Sequence, residues 1–566
     1  MKISPEFFRR RTNPPVGPDR IADVSQDREA TRTLRPVLGA VSGLLAGFTA
    51  LAVAQLVAVP VRPEAAPLNA VGDAVIELAP PSVTQFAVDT FRSNNKLVLE
   101  IGTLALLALF ALVLGVLALR HRRPASAGVL VFGAVGTVAA LSRVGATAAD
   151  ALPSVLGAVA GAGVLYVLAG RLGSAPQPSA LSGEEASDAG EQPSVMRPTG
   201  AAQQGFDRRG FVVAAATAAV ASAGAGAVGL ELSGGSGASA SRRAVRLPGP
   251  ADPAAPIPAG AGPDVPGLSR FTTPNGDFYR VDTALVVPKV DATQWRLRLH
   301  GRGVAEPVEF TYRDLLRRDL VERDITLTCV SNPVGGGYVG NARWIGVPLV
   351  SLLREAGVRP PSEGGPADQL VSRSVDGMTI GTPVEAVMDG RDAMLAVGMN
   401  GQPLPFDHGF PVRMVVPGLY GYVSACKWIE DIELTTFDAY DAYWVRRNWA
   451  RQAPIKTESR IDTPKPFGSV EAGTTIPVAG VAWAQHRGIR RVEVRVDGGP
   501  WQEARLGAEA TEDTWRQWVW EWPATKGSHT LEVRATDGDG VTQTAERADT
   551  VPDGATGWHS VVVDVS

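Results

Sequence analysis

The chain has 566 residues, a net charge of −4 and only two cysteines, Cys329 and Cys426. That length holds several domains. The charge gives no general pull toward nucleic acid, and two cysteines exclude a disulfide framework, a CxxC metal knuckle and a CxxCH haem site.

The first 36 residues carry Lys2 and seven arginines and read as a cytoplasmic tail. Five apolar segments follow, each near the roughly 20 residues that cross a bilayer. They are Val37 to Val59, Leu97 to Leu119, Ala125 to Leu141, Ala151 to Gly170 and Phe211 to Leu230. The first four make a membrane region over 37–172. Leu68 to Phe91 carries Asp73, Glu77, Asp89 and Pro80-Pro81, and reads as an exposed or interfacial loop. Arg120, Arg122, Arg123, Arg171, Arg208 and Arg209 fall on the same side as the tail. The basic bias therefore puts the N-terminus inside and everything after the fifth crossing outside. None of the six histidines lies in an apolar segment, so paired intramembrane haem ligands are not expected.

Residues 173–206 are rich in Ser, Gly, Ala, Glu and Pro and read as a disordered cytoplasmic loop. The fifth crossing, 207–231, opens on Asp207-Arg208-Arg209, an arginine pair that reads as an internal twin-arginine export signal. The proline-rich stretch 232–266 reads as an extended tether.

From Phe271 the pattern is mixed strand and helix. Trp295 to Leu299 alternates as a half-buried strand, and Thr311 to Leu320 reads as a helix capped by Thr311 and Asp314. Ile325, Leu327 and Cys329 share one face of a short buried strand. The strand delivers a thiol into the loop Ser331 to Gly340, where four glycines let backbone pass close to something bulky. Pro348 to Ala356 reads as a helix stopped by Gly357. After Ser459 the pattern turns all-β. Val492, Val494 and Val496 alternate before Asp497-Gly498-Gly499, and Leu531, Val533 and Ala535 alternate before Asp537-Gly538, as in an immunoglobulin-like sandwich.

Cys329 with Asn341, Trp344, Gly346 and Leu349 resembles the cysteine segment of the sulfite oxidase family of molybdenum-cofactor enzymes. A second block, Met399 to Leu434, strengthens the likeness about 70 residues further on. The resemblance implies three parts: five membrane helices, an α+β molybdopterin domain over 267–455, and an all-β immunoglobulin-like dimerisation domain over 456–566. It implies molybdenum held by the Cys329 thiolate beside the dithiolene of one molybdopterin. Carried over by motif, Phe278, Tyr279 and Arg280 of FYRVD, Asp376, His408 and Arg413 of HGFPVR, and Ser424 and Lys427 of SACKW contact the cofactor. Arg280 lies near the metal.

Two departures bear on substrate. Sulfite-oxidising members carry a second arginine where this chain has Val334, and a tyrosine where it has Trp449. Arg446, Arg447 and Arg451 are candidates to restore the charge. The expected activity is oxygen-atom transfer on a small substrate, either sulfite oxidation or sulfoxide reduction. Electrons then pass through a separate cytochrome or membrane quinone pathway, and a homodimer forms through the C-terminal domain. The competing expectation is a membrane-tethered receptor or assembly scaffold that keeps the fold without the metal.

Overall fold

A computed structural model describes residues 18–566 apart from 63–64, 81–82, 84–85, 87–89, 91–94, 144–145, 174–207, 234–235, 285 and 474. The loop at 173–206, Asp207 of the export signal and the first half of the N-terminal tail lie outside the described residues. The chain divides into two compact units, Met1–Ser233 and Gly234–Ser566.

The first unit is helical: α1 (Pro18–Val61), α2 (Pro67–Leu78), α3 (Asn95–Ala118), α4 (Arg122–Leu141), α5 (Leu152–Gly173) and α6 (Arg208–Ser233). Among the described residues, five stretches are long and apolar enough to cross a membrane: Leu34–Val61, Leu97–Ala118, Arg122–Leu141, Ala148–Leu172 and Arg209–Gly229. Each lies within a few residues of an apolar segment marked in the sequence. Helix α1 packs against α3, α5 and α6. Ser222 donates to Thr49 across the α6–α1 contact at 2.9 Å.

Helix α2 corrects the first part, up to Leu78, of the loop expected over Leu68 to Phe91. Its charge is the reason it read as a loop. Asp73 is ion-paired with Arg143 at 2.9 Å, so one carboxylate is compatible with a packed helix that buries Ala70 and Gly72.

The second unit begins with α7 (Ser236–Ala244) and an extended strap, not a free tether. Arg242 donates to the carbonyls of Leu404 (2.6 Å) and Pro403 (2.8 Å). Ala251 N–H donates to Leu320 O, and Glu322 N–H to Asp252 O. Prolines hold the backbone extended, and its remaining polar groups pair with a sheet edge.

Ten strands and four short helices follow in chain order: β1 (Arg296–Gly301), β2 (Val308–Thr311), α8 (Tyr312–Leu316), β3 (Val321–Thr328), β4 (Val339–Pro348), α9 (Leu349–Glu355), β5 (Gln369–Ser374), β6 (Thr379–Pro383), α10 (Val384–Met388), β7 (Met394–Met399), β8 (Gln402–Pro403), β9 (Arg413–Val415), α11 (Gly421–Ser424) and β10 (Ile429–Thr435). They form two sheets, β2-β1-β10-β5-β6 and β3-β4-β7-β8, with β9 paired to β7. Helix α8 has the expected Thr311–Asp314 capping box but stops after one turn, well short of Leu320. Leu315 and Leu320 are both buried. On a helix they would point about 140° apart, so the chain leaves the helix to bury both.

Residues 458–565 fold as two facing sheets around Val478, Trp518, Val492 and Leu531. Val492, Val494, Leu531, Val533 and Ala535 are fully buried, as their alternation requires. Asp497 (φ 51°) and Gly498 (φ 69°) make the left-handed turn that joins two strands there. Trp518, Trp520 and Trp522 pack in this core, whereas Trp515 and Trp483 join the core of the preceding α+β domain.

Candidate active site

Strand β3 pairs antiparallel with β4 in register Thr328↔Val339, and Cys329 N–H donates to Tyr338 O at 2.9 Å, closing the hairpin. The thiol therefore emerges where the ladder ends. Both faces of β3 are covered. Gln485, from the β-sandwich domain, donates to Thr326 O and Thr328 Oγ1, and Trp515 N–H donates to Thr326 Oγ1 at 2.7 Å. Two of the four loop glycines face rings, whereas a side chain at Gly336 would meet Asn332 and Pro333 of its own loop and one at Gly337 nothing within 4 Å. A side chain at Gly340 would press on the Phe278 ring, and one at Gly335 would overlap the His559 ring. Arg460 donates to Gly336 O at 2.7 Å. The β-sandwich thus holds the back of the thiol loop.

In front of Cys329 lies a cavity of ≈ 900 Å³, open mouth included. Phe278, Tyr279, Asp376, His408, Arg413 and Lys427 line it, with Trp449 at its edge. Eight of the expected site residues, Cys329 among them, are therefore brought together. Burial pushes the Cys329 thiol up, opposed by hydrogen bonds from Ser331 and the charge of Lys427. Cys426 also lines the cavity and is pushed up to about 12 by burial, an inert thiol.

His408 donates Nε2–H to Asn275 O at 2.8 Å, leaving Nδ1 as an acceptor. Burial, with Arg413 and Lys427 nearby, brings its pKa down to about 4, so the ring is neutral. Arg413 stands on β9, beside Ala396 of β7. Its guanidinium is buried over the Trp344 ring, and burial lowers its pKa to about 10. Lys427 Nζ bonds Asp282 at 2.9 Å and Asp407 O at 3.2 Å.

Two expected residues are placed differently. Arg280 is 39% exposed, is not part of the cavity lining, and is ion-paired with Asp282 and Asp407, each at 3.0 Å. Ser424 is buried, but its hydroxyl donates back to Leu419 O and Tyr420 O within the turn of α11 (Gly421–Ser424), which follows α10 (Val384–Met388). Tyr420 O also accepts from Val423 N–H at 3.0 Å, so the hydroxyl adds a second donor there and one at Leu419 O. Arg446, Arg447 and Arg451 are also outside the lining. Arg447 stacks on Tyr443 at 3.7 Å, and Arg451 pairs with Asp441 at 3.0 Å.

Sequence reasoning missed Asp282, Ser374, Tyr422 and Trp444, all of which line the cavity. Asp282 had a signal. It is two residues from Arg280, a spacing that puts both side chains on one side of an extended segment.

A family profile described as "Oxidoreductase molybdopterin binding domain" matches residues 284–444, and "Bacterial Ig domain" matches residues 458–533. Mitochondrial sulfite oxidase of Rattus norvegicus is 31% identical over 287 residues, covering 44% of this chain and 52% of that protein. Nitrate reductase [NAD(P)H] of Hordeum vulgare is 28% identical, covering 46% of this chain and 35% of its own length. Among solved structures, sulfane dehydrogenase SoxCD of Paracoccus pantotrophus is similar at 25% identity, with a TM-score of 0.45, over 52% of this chain and 83% of that one. The chain thus spans about half the length of the sulfite oxidases it matches.

The lining suits a molybdopterin. Among the described residues no cluster of three or more His, Cys, Asp or Glu could hold a metal ion, so a metal at Cys329 needs a chelating cofactor to complete its shell. Buried Arg413 Nε and Ser374 Oγ, both from residues that line the cavity, have no hydrogen-bond partner among the described residues. Such orphaned groups imply a polar guest.

Proposed function

We propose, for a chain whose residues 284–444 form a molybdopterin-binding oxidoreductase domain of the sulfite oxidase family, that the whole protein is a membrane-anchored enzyme acting outside the cytoplasm. It moves an oxygen atom to or from a small substrate, by sulfite oxidation or sulfoxide reduction. The observation that carries this reading is Cys329, whose thiol ends β3 at a cavity also lined by His408, Arg413 and Lys427.

The chain's residues divide the work. Cys329 would hold molybdenum as a thiolate, because a bound metal would favour the deprotonated form against the burial that otherwise keeps the thiol protonated. Arg413 and Lys427 supply charge-assisted donors for an anionic cofactor phosphate. Phe278 stands edge-on to His408 at 5.5 Å and to Trp344 at 5.9 Å, so this part of the cavity wall is held rigid. Arg280 acts indirectly: with Lys427 it grips Asp282 and so fixes the lysine. The bound cofactor supplies two-electron redox chemistry coupled to oxygen-atom transfer, which the protein orients and shields.

Five crossings with the arginine-rich end inside support an outward-facing oxidoreductase domain. Electrons then pass through a separate cytochrome or membrane quinone pathway. Metal analysis of the purified chain tests the reading. One molybdenum per chain with pterin fluorescence is expected, and Cys329→Ser is expected to fold but lose turnover. A metal-free wild-type protein would make it a scaffold instead, and retained turnover in the serine variant would remove Cys329 as ligand.

A further inference from the structure

We propose that the substrate is an uncharged organic oxide whose apolar body sits on Tyr422, Trp444 and Trp449, and not an inorganic oxyanion. This rests on the enzyme reading above and narrows it.

The first argument is charge. The cavity lining contains two cations, Arg413 and Lys427, and two carboxylates, Asp282 and Asp376. His408 adds no positive charge, because burial keeps its ring neutral. The protein wall therefore carries no net charge before an anionic cofactor enters. Lys427 is already bonded to Asp282. Arg280 is held outside by Asp282 and Asp407. Arg447 lies on Tyr443, Arg451 is paired with Asp441, and position 334 is valine. A dianion such as sulfite would meet little compensating charge and the cofactor's own negative charge.

The second argument is shape. Tyr422 and Trp449 have ring centroids 5.7 Å apart, and Trp449 meets Trp444 edge-on at 6.1 Å. All three rings line the cavity and are only partly buried. Tyr422 donates its hydroxyl to Ala450 O at 2.7 Å, so its ring is fixed and its phenol is tied down. Helix α11, which carries Tyr422, abuts the end of β3. A Cβ at Gly421 would lie 3.7 Å from Thr328 O. The aromatic corner shares its cavity with Cys329. Rigid, half-exposed rings next to a reactive centre fit an aryl or alkyl body, whose oxide end can then reach inward.

Isothermal calorimetry on the purified, molybdenum-loaded chain tests this, with methyl p-tolyl sulfoxide and sodium sulfite as probes. The sulfoxide is expected to bind at least about tenfold tighter than sulfite, and Trp449→Ala to weaken it about tenfold without changing sulfite binding. Trp449→Phe, which keeps a ring, is expected to stay within about twofold. Trp444→Ala serves as the second truncation, with molybdenum content and thermal midpoint verifying that each variant is folded and loaded. Tighter binding of sulfite, or sulfoxide binding unchanged in both truncations, overturns the proposal. Absence of molybdenum from the wild type overturns the enzyme reading on which it rests, so the two failures are distinguishable.

Discussion

The guanidinium of Arg413 lies 4.9 Å from the ring centroid of Trp344, and its Nε has no hydrogen-bond partner among the described residues. A buried cation with an unmade bond is a net cost to the fold, about 1–3 kcal/mol for the unsatisfied group. It is repaid only when an anion enters the cavity. Arg413→Met is therefore expected to leave the thermal midpoint of cofactor-free protein unchanged or raised. The same variant should retain at least about tenfold less molybdenum, since charged hydrogen bonds of about 1.5–3 kcal/mol are lost. Thermal unfolding of protein from a cofactor-deficient host, beside metal analysis of loaded protein, checks both signs. A lowered midpoint without cofactor would make Arg413 a structural residue.

Arg460 links the β-sandwich to the thiol loop. It donates to Gly336 O at 2.7 Å, to Ser269 Oγ at 3.1 Å and to Asp462 at 2.7 Å, and Asp462 is buried. Arg460→Ala leaves that carboxylate with Ser269 N–H, at 3.1 Å, but without its cation, at a cost of about 1–3 kcal/mol. The loop carrying Cys329 should loosen as well. The expected result is a lower thermal midpoint and faster alkylation of Cys329 in cofactor-free protein. Unchanged alkylation would confine Arg460 to a role within the β-sandwich.

What could be read from the chain follows how local each determinant is. Cys329 was legible because alternation from Ile325 and the glycines after Ser331 are short-range signals. His408 and Arg413 were legible only by resemblance, since nothing local says that β9 lands beside β7. Arg280 could not be aimed from the sequence, because its direction depends on Asp407, 127 residues away. The hydroxyl of Ser424 could not be aimed either, because it bonds back to Leu419 O and Tyr420 O. The strap over 236–266 was hidden by its composition. Prolines and small residues read as unstructured, and they give no hint that Ala251 and Asp252 extend a sheet edge. The aromatic corner at Tyr422 and Trp444 has no sequence signature apart from the rings themselves.

Glu458 gives the fold a pH dependence with a defined sign. Burial raises its pKa from 4.5 to about 8. Between those values the unfolded chain has lost a proton that the folded chain keeps, so stability falls as pH rises. His559 acts in the opposite direction. Burial lowers its pKa from 6.5 to about 4, so stability falls as pH drops through that window. His486 and His529 have raised pKa values and lose their contribution as pH rises, with the same sign as Glu458. The contribution of Glu458 is isolated by Glu458→Gln. From pH 6.5 to pH 8 the variant should lose less stability than wild type, by about 1.6 kcal/mol, because the slope of about 1.4 kcal/mol per pH unit flattens as Glu458 ionises near pH 8. Denaturant titrations at the two pH values measure this. Parallel losses in both proteins would mean that Glu458 is ionised throughout.

Helices α1 and α3 touch through backbone. A Cβ at Gly43 would overlap the carbonyl oxygen of Ala111, and one at Gly115 would overlap that of Gly39. Gly102, also on α3, has nothing within 4 Å of the same position. Gly43→Leu should therefore force the two helices apart, while Gly102→Leu adds a good helix former to an open surface. Overpacking of this kind costs about 1–3 kcal/mol. The expected outcome in detergent is a lower unfolding midpoint and faster proteolysis for Gly43→Leu, with Gly102→Leu indistinguishable from wild type. Equal behaviour of the two variants would show that α1 and α3 do not pack through these glycines.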